Sequence, residues 1–212
     1  MPRRGGLLSR RGVGKLSNMP TAGKKWRHVV INTRSSWLPG DKRGFHNRGH
    51  RAHSSGDYRR PPPPGEHKGL FIYNTRNARE EIYLPRKLRP IIGDAIRSHF
   101  EGCGHRCLAI AVTSGHVHVL VELPDNILRI RAIVGEAKRI SSRAAKAVLR
   151  GSIWSAGGTY KPVLSRDHHC SVYNYILYDQ GSSAWTWSYK DGSADGRFNR
   201  KRQEQTTPHA GA

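Results

Sequence analysis

The 212-residue sequence is poor in acidic residues, in cysteine and in long apolar runs. It has 15 Asp and Glu against 37 Lys and Arg, which gives a formal net charge of +22. So large an excess of one sign excludes a preference for cationic partners and favours polyanions, nucleic acid first among them. The charge alone does not distinguish DNA from RNA, or an enzyme from a binding protein.

The low cysteine content and the lack of long apolar runs indicate in which cellular compartment the protein is expected. Cys103, Cys107 and Cys170 cannot all pair with one another, and CGHRC lacks the second ligand pair of a zinc finger, so reduced thiols are expected. No stretch reaches the roughly 18 consecutive apolar residues that span a bilayer, and the basic N-terminus lacks the apolar segment of a secretory signal. We therefore expect a cytoplasmic, nucleoid-associated protein without a membrane partner.

The sequence divides into three parts. Residues 1–25 hold seven Lys and Arg and no acid, and are expected to form a disordered basic arm. Residues 26–190 are predicted to form one domain, with a loop insertion over 35–84 that is dense in Gly, Pro, Arg and His. Residues 191–212 are polar and are expected to form a disordered tail.

Hydrophobic periodicity predicts the elements of this domain. Strands are predicted at 26–34, 105–113, 116–123, 160–164 and 184–189, and helices at 88–102, 127–149 and 168–180, the last capped by Asp167. Ser114 and Gly115 predict a hairpin, Pro162 predicts an edge strand, and Trp185 and Trp187 are expected to pack on the sheet. The order indicates an α+β fold: a ferredoxin-like βαββαβ antiparallel sheet with helices on one face, and an added C-terminal helix.

Two histidines interrupt the apolar strand in SGHVHVLVEL, residues 114–123. Because side chains alternate along a strand, His116 and His118 project from one face while Val117 and Val119 project from the other. Two imidazoles on one face can bind a divalent cation if a third ligand completes the site. Without that ligand they are polar residues on a half-exposed sheet.

The last predicted helix offers a nucleophile and a ligand. Tyr175 and Asp179 stand four residues apart and therefore on one helical face. A tyrosine hydroxyl has an unperturbed pKa near ~10, so it is a poor nucleophile at neutral pH without help from a cation. A cation held by His116, His118 and Asp179 would neutralise charge on a phosphate as the tyrosine attacks.

Several segments together resemble a known family. HVHVL, a following helix with VGEAKRISSRAAK, then IW and a helix with YI resemble the single-tyrosine HUH transposases, and SSWLPGDKRGF resembles their REP-associated members. The resemblance covers about residues 26–180. It implies that His116 and His118 bind Mg²⁺ or Mn²⁺, and that Tyr175 attacks single-stranded DNA to leave a 5′-phosphotyrosine and a free 3′-OH. The family's third ligand, usually Gln or Asn four residues after the tyrosine, is here Asp179, with Gln180 as the alternative.

Two other tyrosines compete with Tyr175 for the role of nucleophile. Tyr173 is followed four residues later by Leu177, which cannot bind a metal. The corresponding position after Tyr178 lies beyond Gly181, where the helix is expected to end. Tyr175 is therefore favoured.

The basic helix and the insertion supply candidate DNA contacts. Lys138, Arg139 and Arg143 match the basic stretch of the family's long helix and are expected to hold the DNA backbone by charge. Trp37, in the insertion, is expected to stack on an unpaired base.

The predicted function is cleavage and rejoining of single-stranded, hairpin-bearing (REP-like) DNA by metal-dependent transesterification. Relatives include both homodimers and monomers, so the sequence leaves the assembly open. A replication initiator or relaxase of the same HUH class is one alternative, although those enzymes usually have more domains than 212 residues allow. A nucleic-acid-binding module without catalysis is another: Asp179 in place of an amide favours it, and the intact histidine pair with Tyr175 opposes it.

Overall fold

The computed structural model describes residues 19–45, 53–56 and 60–190. Most of the predicted basic arm and all of the predicted tail, residues 191–212, lie outside this range. Within the arm, residues 24 and 25 already belong to the first strand. The fold is α+β, as predicted, with one five-stranded antiparallel sheet and four α-helices in the described residues.

The sheet has the strand order β4-β1-β3-β2-β5. Its strands are β1 (Lys24–Asn32), β2 (Cys107–Val112), β3 (His116–Pro124), β4 (Thr159–Pro162) and β5 (Trp185–Ser188). The predicted hairpin is confirmed, because β2 pairs antiparallel with β3 across a two-residue turn centred on Ser114 and Gly115. The edge position of β4, expected from Pro162, is also confirmed.

The helices are α1 (Lys68–Asn77), α2 (Arg89–Gly102), α3 (Ile127–Ala144) and α4 (Arg166–Tyr178). Asn126 caps α3, since its side-chain oxygen accepts from the backbone N–H of Leu128 at 2.9 Å. The expected cap of α4 was wrong: Ser165 accepts from the His168 N–H at 3.1 Å, while Asp167 lies in the first turn.

Helices cover both faces of the sheet. On one face, α2 and α3 bury apolar side chains such as Ile96, Phe100 and Ile130 against the branched residues of the strands. Trp185 and Trp187 belong to this core, which confirms that they pack on the sheet. On the opposite face, α4 packs through its buried apolar residues on the smaller cluster formed by Trp26, Leu108, Ala109, Ala111, Leu120, Val172 and Ile176. Residues on this second face therefore lie beneath or beside α4.

The insertion differs from the expected loop because it contains α1. No residue of α1 is buried, and its apolar residues 70–73 are consecutive rather than three or four apart. The periodic signal of an amphipathic helix is therefore missing. A second difference is that α3 ends at Ala144, five residues before the predicted end, and continues as turns. No helix in the described ranges has the length and apolarity needed to cross a membrane.

Candidate functional site

A third histidine joins the two that the sequence singles out. In the register between β1 and β3, Val30 lies opposite His118, and His28 is two residues from Val30 on the same face. His28 Nε2 lies 2.9 Å from His118 Nδ1, and the His116 and His118 ring centroids are 4.7 Å apart. His28, His116 and His118, called here the histidine cluster, therefore occupy one patch on the α4 face of the sheet.

The packing of α4 brings Tyr175 onto the histidine cluster. Val172 and Ile176 are buried against the sheet, which fixes the rotation of the helix about its axis. The Tyr175 ring consequently meets His118 edge to face, with centroids 5.4 Å apart, and meets His28 in the same way at 6.0 Å. The tyrosine favoured by the sequence is thus the one beside the histidines.

The two competing tyrosines of α4 point elsewhere. The Tyr173 hydroxyl is hydrogen-bonded to Ser188 Oγ at 2.5 Å, on the side of α4 that faces β5. The Tyr178 side chain is exposed at the end of the helix. Neither ring is in contact with a histidine of the cluster among the described ring pairs.

The end of α4 gives the two candidate third ligands different surroundings. Asp179 is the C-cap residue, and its backbone N–H donates to the Tyr175 carbonyl at 3.2 Å while its side chain is exposed. The Gln180 side chain donates from Nε2 to the same carbonyl at 3.0 Å and lies close enough to His116 to raise the pKa of that ring. In the part of the chain that the structure describes, no hydrogen bond or ion pair joins the Asp179 side chain to the histidine cluster. The geometry therefore brings Gln180, rather than Asp179, to the histidines.

Burial keeps the imidazoles of the histidine cluster neutral. It lowers the pKa of His118 to about 2, with repulsion from the other two histidines adding to the effect. Burial, together with the nearby Lys161, lowers the pKa of His28 to about 4. Burial also lowers the pKa of His116, although the hydrogen bond to Gln180 opposes it. Neutral imidazole is the form that binds a metal, so the three rings are ready to act as ligands or acceptors at pH 7.

The contact between His28 and His118 can set the tautomer of His118. If His118 Nδ1–H donates to His28 Nε2, the lone pair of His118 is on Nε2 and is free to bind a cation. In the opposite arrangement a neutral His118 carries its proton on Nε2 and cannot bind one. Sequence reasoning missed His28 because its partner is 90 residues away; the only sequence signal was a polar residue within an apolar strand.

The described side chains near the histidine cluster include few of the groups that usually coordinate a divalent cation. No group of three or more His, Cys, Asp or Glu side chains in residues 19–45, 53–56 and 60–190 is arranged to hold a metal ion. The donors that the structure brings together are the imidazoles of His116 and His118 and the Gln180 amide. Imidazole is more typical of Zn²⁺ and other transition metals, so Mg²⁺ or Mn²⁺ at this set would take most of its ligands from water, phosphate oxygens and the amide oxygen.

Two cationic side chains that the sequence did not indicate flank the histidine cluster. Lys161 on β4 lies directly opposite His28 in the strand register and is exposed. Arg43, from the insertion, is near enough to His116 for its charge to lower the pKa of that ring, after the larger effect of burial. Both positive charges are placed to attract a phosphate to this face.

The predicted DNA contacts on α3 lie in the layer opposite the histidine cluster. Lys138 Nζ donates to the Ser155 carbonyl at 2.9 Å and to the Gly157 carbonyl, and burial lowers its pKa. This lysine therefore anchors the loop that precedes β4. The other two predicted contacts on α3 are exposed: Arg139, which is paired with Glu136, and Arg143.

Trp37 is the only predicted DNA contact that lies near the histidine cluster. It lines a cavity of about 640 Å³ whose wall also includes His116.

Comparisons with known proteins place limits on the assignment. No family model matches the sequence, and no curated protein matches it. A solved structure of a REP-associated tyrosine transposase bound to a REP hairpin is similar at 12% identity, covering 78% of this chain and 71% of that chain, with a TM-score of 0.42. A likeness this distant does not establish the family of this chain.

Proposed function

We propose that this chain cleaves and rejoins single-stranded DNA by transesterification, with Tyr175 as the nucleophile. The observation that carries the proposal is the edge-to-face contact of Tyr175 with His118 and His28, in a cluster of neutral imidazoles. A phenol beside metal-ligand side chains on a strongly basic protein suits attack on a phosphodiester.

The divalent cation, Mg²⁺ or Mn²⁺, would be held by His116, His118 and Gln180. When bound, it supplies Lewis-acid chemistry, since it neutralises negative charge on a phosphate oxygen. His28 Nε2 lies 2.9 Å from His118 Nδ1, and in the proposed tautomer it would accept from His118 Nδ1–H and keep Nε2 of that ring available.

The proposed step exchanges one phosphodiester bond for another. Tyr175 Oη bonds to phosphorus and the bond from phosphorus to the 3′ oxygen breaks; the tyrosine loses its proton and the departing 3′ oxygen gains one. The products are a 5′-phosphotyrosine on one strand end and a free 3′-OH on the other. Because the bond energy is kept in the phosphotyrosine, the reverse reaction rejoins strands without a nucleotide cofactor.

The DNA would approach from the α4 face of the sheet. We propose that Lys161 and Arg43 hold the strand near Tyr175 by charge, and that Arg139 and Arg143 contact it where it extends round to α3. The strand order β4-β1-β3-β2, with α2 and α3 on one face, supports a ferredoxin-like core for this platform. A hairpin in the substrate is proposed from the sequence motifs alone.

The test is formation of a covalent adduct. The purified full chain is incubated with Mg²⁺ or Mn²⁺ and an oligonucleotide pool that carries a fixed hairpin between randomised single-stranded flanks. A label at the 3′ end should become attached to the protein on a denaturing gel, while a label at the 5′ end should appear on a shortened strand with a free 3′-OH.

Two matched controls are available on α4 itself. Tyr173→Phe and Tyr178→Phe should keep the adduct, and Tyr175→Phe should lose it. An adduct of wild-type yield in Tyr175→Phe contradicts the assignment, and so does the absence of any adduct from the wild-type chain with both metals.

One observation favours a second candidate, a nucleic-acid-binding module without catalysis. Among the described residues, only two histidines and a neutral amide form the donor set, and no carboxylate joins it. If this candidate is right, the chain retains the pool in a gel-shift assay but yields no adduct with either metal.

A further inference from the structure

We propose that SSWLPGDKRGF, residues 35–45, and the adjoining α1 form a pocket for one unpaired nucleobase of single-stranded DNA, next to His116. The inference rests on the proposed function, since it names how the insertion recognises that DNA. The inference assigns a role to residues 35–45 and α1, which do not take part in bond making or breaking at Tyr175.

The cavity has the size and lining of a small-ligand site. Its volume of about 640 Å³ lies within the range of roughly 300–1,000 Å³ that is typical of such sites. Residues of the insertion form most of the wall, including Trp37, Arg43, Phe71 and Tyr83, and Gly115 and His116 close one side. The aromatic rings can stack on a planar base, and the polar and charged groups of the wall, which include Asp41, Glu80 and Glu81, can hydrogen-bond to its edge.

Trp37 and Arg43 form a fixed stack in this pocket. The indole N–H of Trp37 donates to the Gly44 carbonyl at 2.7 Å, and the Arg43 guanidinium lies 4.4 Å from the indole centroid. Arg43 is itself held by Asp41 Oδ1 at 2.8 Å and by the Ser36 carbonyl at 2.8 Å. Both groups keep exposed surface, so the stack offers a planar platform on which an unpaired base can lie.

Close packing of α1 fixes the opposite wall. Gly40 has φ +92°, and a Cβ at this position would lie 2.5 Å from the backbone nitrogen of Phe71. The Asn74 side chain donates to the Pro39 carbonyl at 3.2 Å. Glycine thus permits the loop and the helix to touch, which sets the spacing between Phe71 and the platform.

The pocket is tied to the histidine cluster through the hairpin turn. Ser36 Oγ donates to the Gly115 carbonyl at 3.1 Å, and the Thr33 N–H donates to the same carbonyl at 2.8 Å. Gly115 directly precedes His116, and His116 belongs both to the pocket wall and to the proposed cation site, so the two sites share this residue. A base held there belongs to a nucleotide next to the phosphate that Tyr175 attacks.

The test uses tryptophan fluorescence, for which the chain is suited. Trp37 is 37% exposed, while the other four tryptophans are between 4% and 8% exposed. All variants carry Tyr175→Phe, so that binding is measured without cleavage. The probes are a thymidylate strand of about 12 nucleotides and an abasic deoxyribose-phosphate strand of the same length and charge.

The thymidylate strand should quench the fluorescence and bind about 10- to 100-fold more tightly than the abasic strand. Trp37→Ala should remove most of this ratio and leave the affinity for the abasic strand unchanged. Gly40→Ala, which forces α1 away from the loop, should reduce the ratio with Trp37 still present. Tyr73→Ala, an exposed aromatic residue of α1 outside the pocket lining, should change nothing.

An unchanged ratio in Trp37→Ala, or an equal loss in Tyr73→Ala, overturns the inference. That outcome is distinct from failure of the proposed function, which shows as normal strand binding without an adduct in the wild-type chain. If neither strand binds, both proposals are wrong.

Discussion

At the scale of single residues, the site depends on where α4 stops. The helix ends at Tyr178, so the four-residue spacing from Tyr175 places Asp179 at the C-cap rather than on the helical face that meets the sheet. Gln180, one residue later, folds back onto the Tyr175 carbonyl and His116. The resemblance leads us to expect an amide four residues after Tyr175, where this chain has Asp179. An amide, that of Gln180, is therefore present near His116 one position later than expected.

We predict that the third donor is Gln180. Gln180→Ala should lower Mn²⁺ affinity by about 10-fold or more and reduce adduct formation, because the amide near His116 is lost. Asp179→Asn should leave both unchanged, since its side chain is exposed and away from the histidine cluster. Isothermal titration with Mn²⁺ measures the affinity, and the reverse ranking of the two variants would restore Asp179 as the ligand.

His28 should act on the metal only through His118. His28→Phe removes the acceptor for His118 Nδ1–H, so Mn²⁺ affinity should fall about 10- to 100-fold. His28→Gln, whose amide oxygen can accept the same proton, should recover much of the loss. Electron paramagnetic resonance of Mn²⁺ gives the affinity, and ¹⁵N chemical shifts report the His118 tautomer; equal affinity and tautomer in wild type and His28→Phe exclude this role.

At the scale of elements, a buried ion pair joins β2 and β3 to the start of β1. Glu122 is fully buried, and Arg106 Nε donates to Glu122 Oε2 at 2.8 Å, while the Thr21 N–H donates to the same carboxylate. The Arg106 guanidinium also lies 5.1 Å from the Trp26 ring centroid. The pair therefore fixes the entry of the chain into the sheet that carries His28.

This ion pair predicts a defined loss of stability in acid. Burial alone would raise the pKa of Glu122, but the hydrogen bonds from Arg106 and Thr21 outweigh it and lower the pKa to about 2. Because the folded pKa is below the unfolded value of 4.5, the stabilisation is present above pH 4.5 and is lost as pH falls towards about 2. Urea unfolding at a series of pH values should show this slope, and Glu122→Gln should flatten it.

Urea unfolding at neutral pH also compares the stability contributed by the Arg106–Glu122 pair with that of partly exposed ion pairs. Arg106→Ala leaves a buried carboxylate without its partner and should cost about 3–5 kcal/mol. Arg97→Ala, which removes an arginine from the partly exposed pairs of α2, should cost about 1 kcal/mol or less. If the two variants lose the same free energy of unfolding, the Arg106–Glu122 pair contributes no more to stability than a partly exposed pair.

The sequence pattern was sufficient for elements with a strong burial signal. The strands β2 and β3 and the helix α2 lie within two residues of their predicted bounds, because the two strands are short apolar runs beside a turn signal and the helix has a 3.6-residue apolar repeat. Helix α1 has no buried face and could not be found in this way.

The parts of the site that the sequence did not reveal depend on long-range geometry. His28 joins the cluster through a strand register between residues about 90 positions apart, and Lys161 joins through the pairing of β4 with β1. Local spacing contains no information about either register. The position of Gln180, rather than Asp179, beside His116 depends on where the helix ends, which local spacing fixes only to within one or two residues.

At the scale of the whole molecule, the net charge of +22 predicts that the proposed binding to DNA depends strongly on salt. The charges are not equivalent, because only some lie on the α4 face of the sheet. Lys161 is exposed beside His28, whereas Lys146 is exposed in the turns that follow α3.

We predict that Lys161→Ala weakens single-stranded DNA binding and reduces the slope of log K against log salt concentration by about 1. Lys146→Ala removes the same charge from the molecule and should change the slope by much less. Fluorescence anisotropy at several salt concentrations measures both. Equal slopes in the two variants would mean that DNA is bound by overall charge rather than on the α4 face.

The pairing of β1 also bears on the order in which the chain folds. Strand β1 pairs only with β3 and β4, and its partners on β3 begin with His116, 84 residues beyond Asn32, whereas β2 and β3 are joined by a two-residue turn. Closing so long a loop has a larger entropy cost than closing a two-residue turn. We therefore expect β1 to dock on a hairpin that has already formed. His28 then meets His118 only in the last stage, and pulsed hydrogen exchange should protect β2 and β3 before β1. A partly folded chain would therefore hold two histidines without the third, and the histidine cluster would be assembled only when folding is complete.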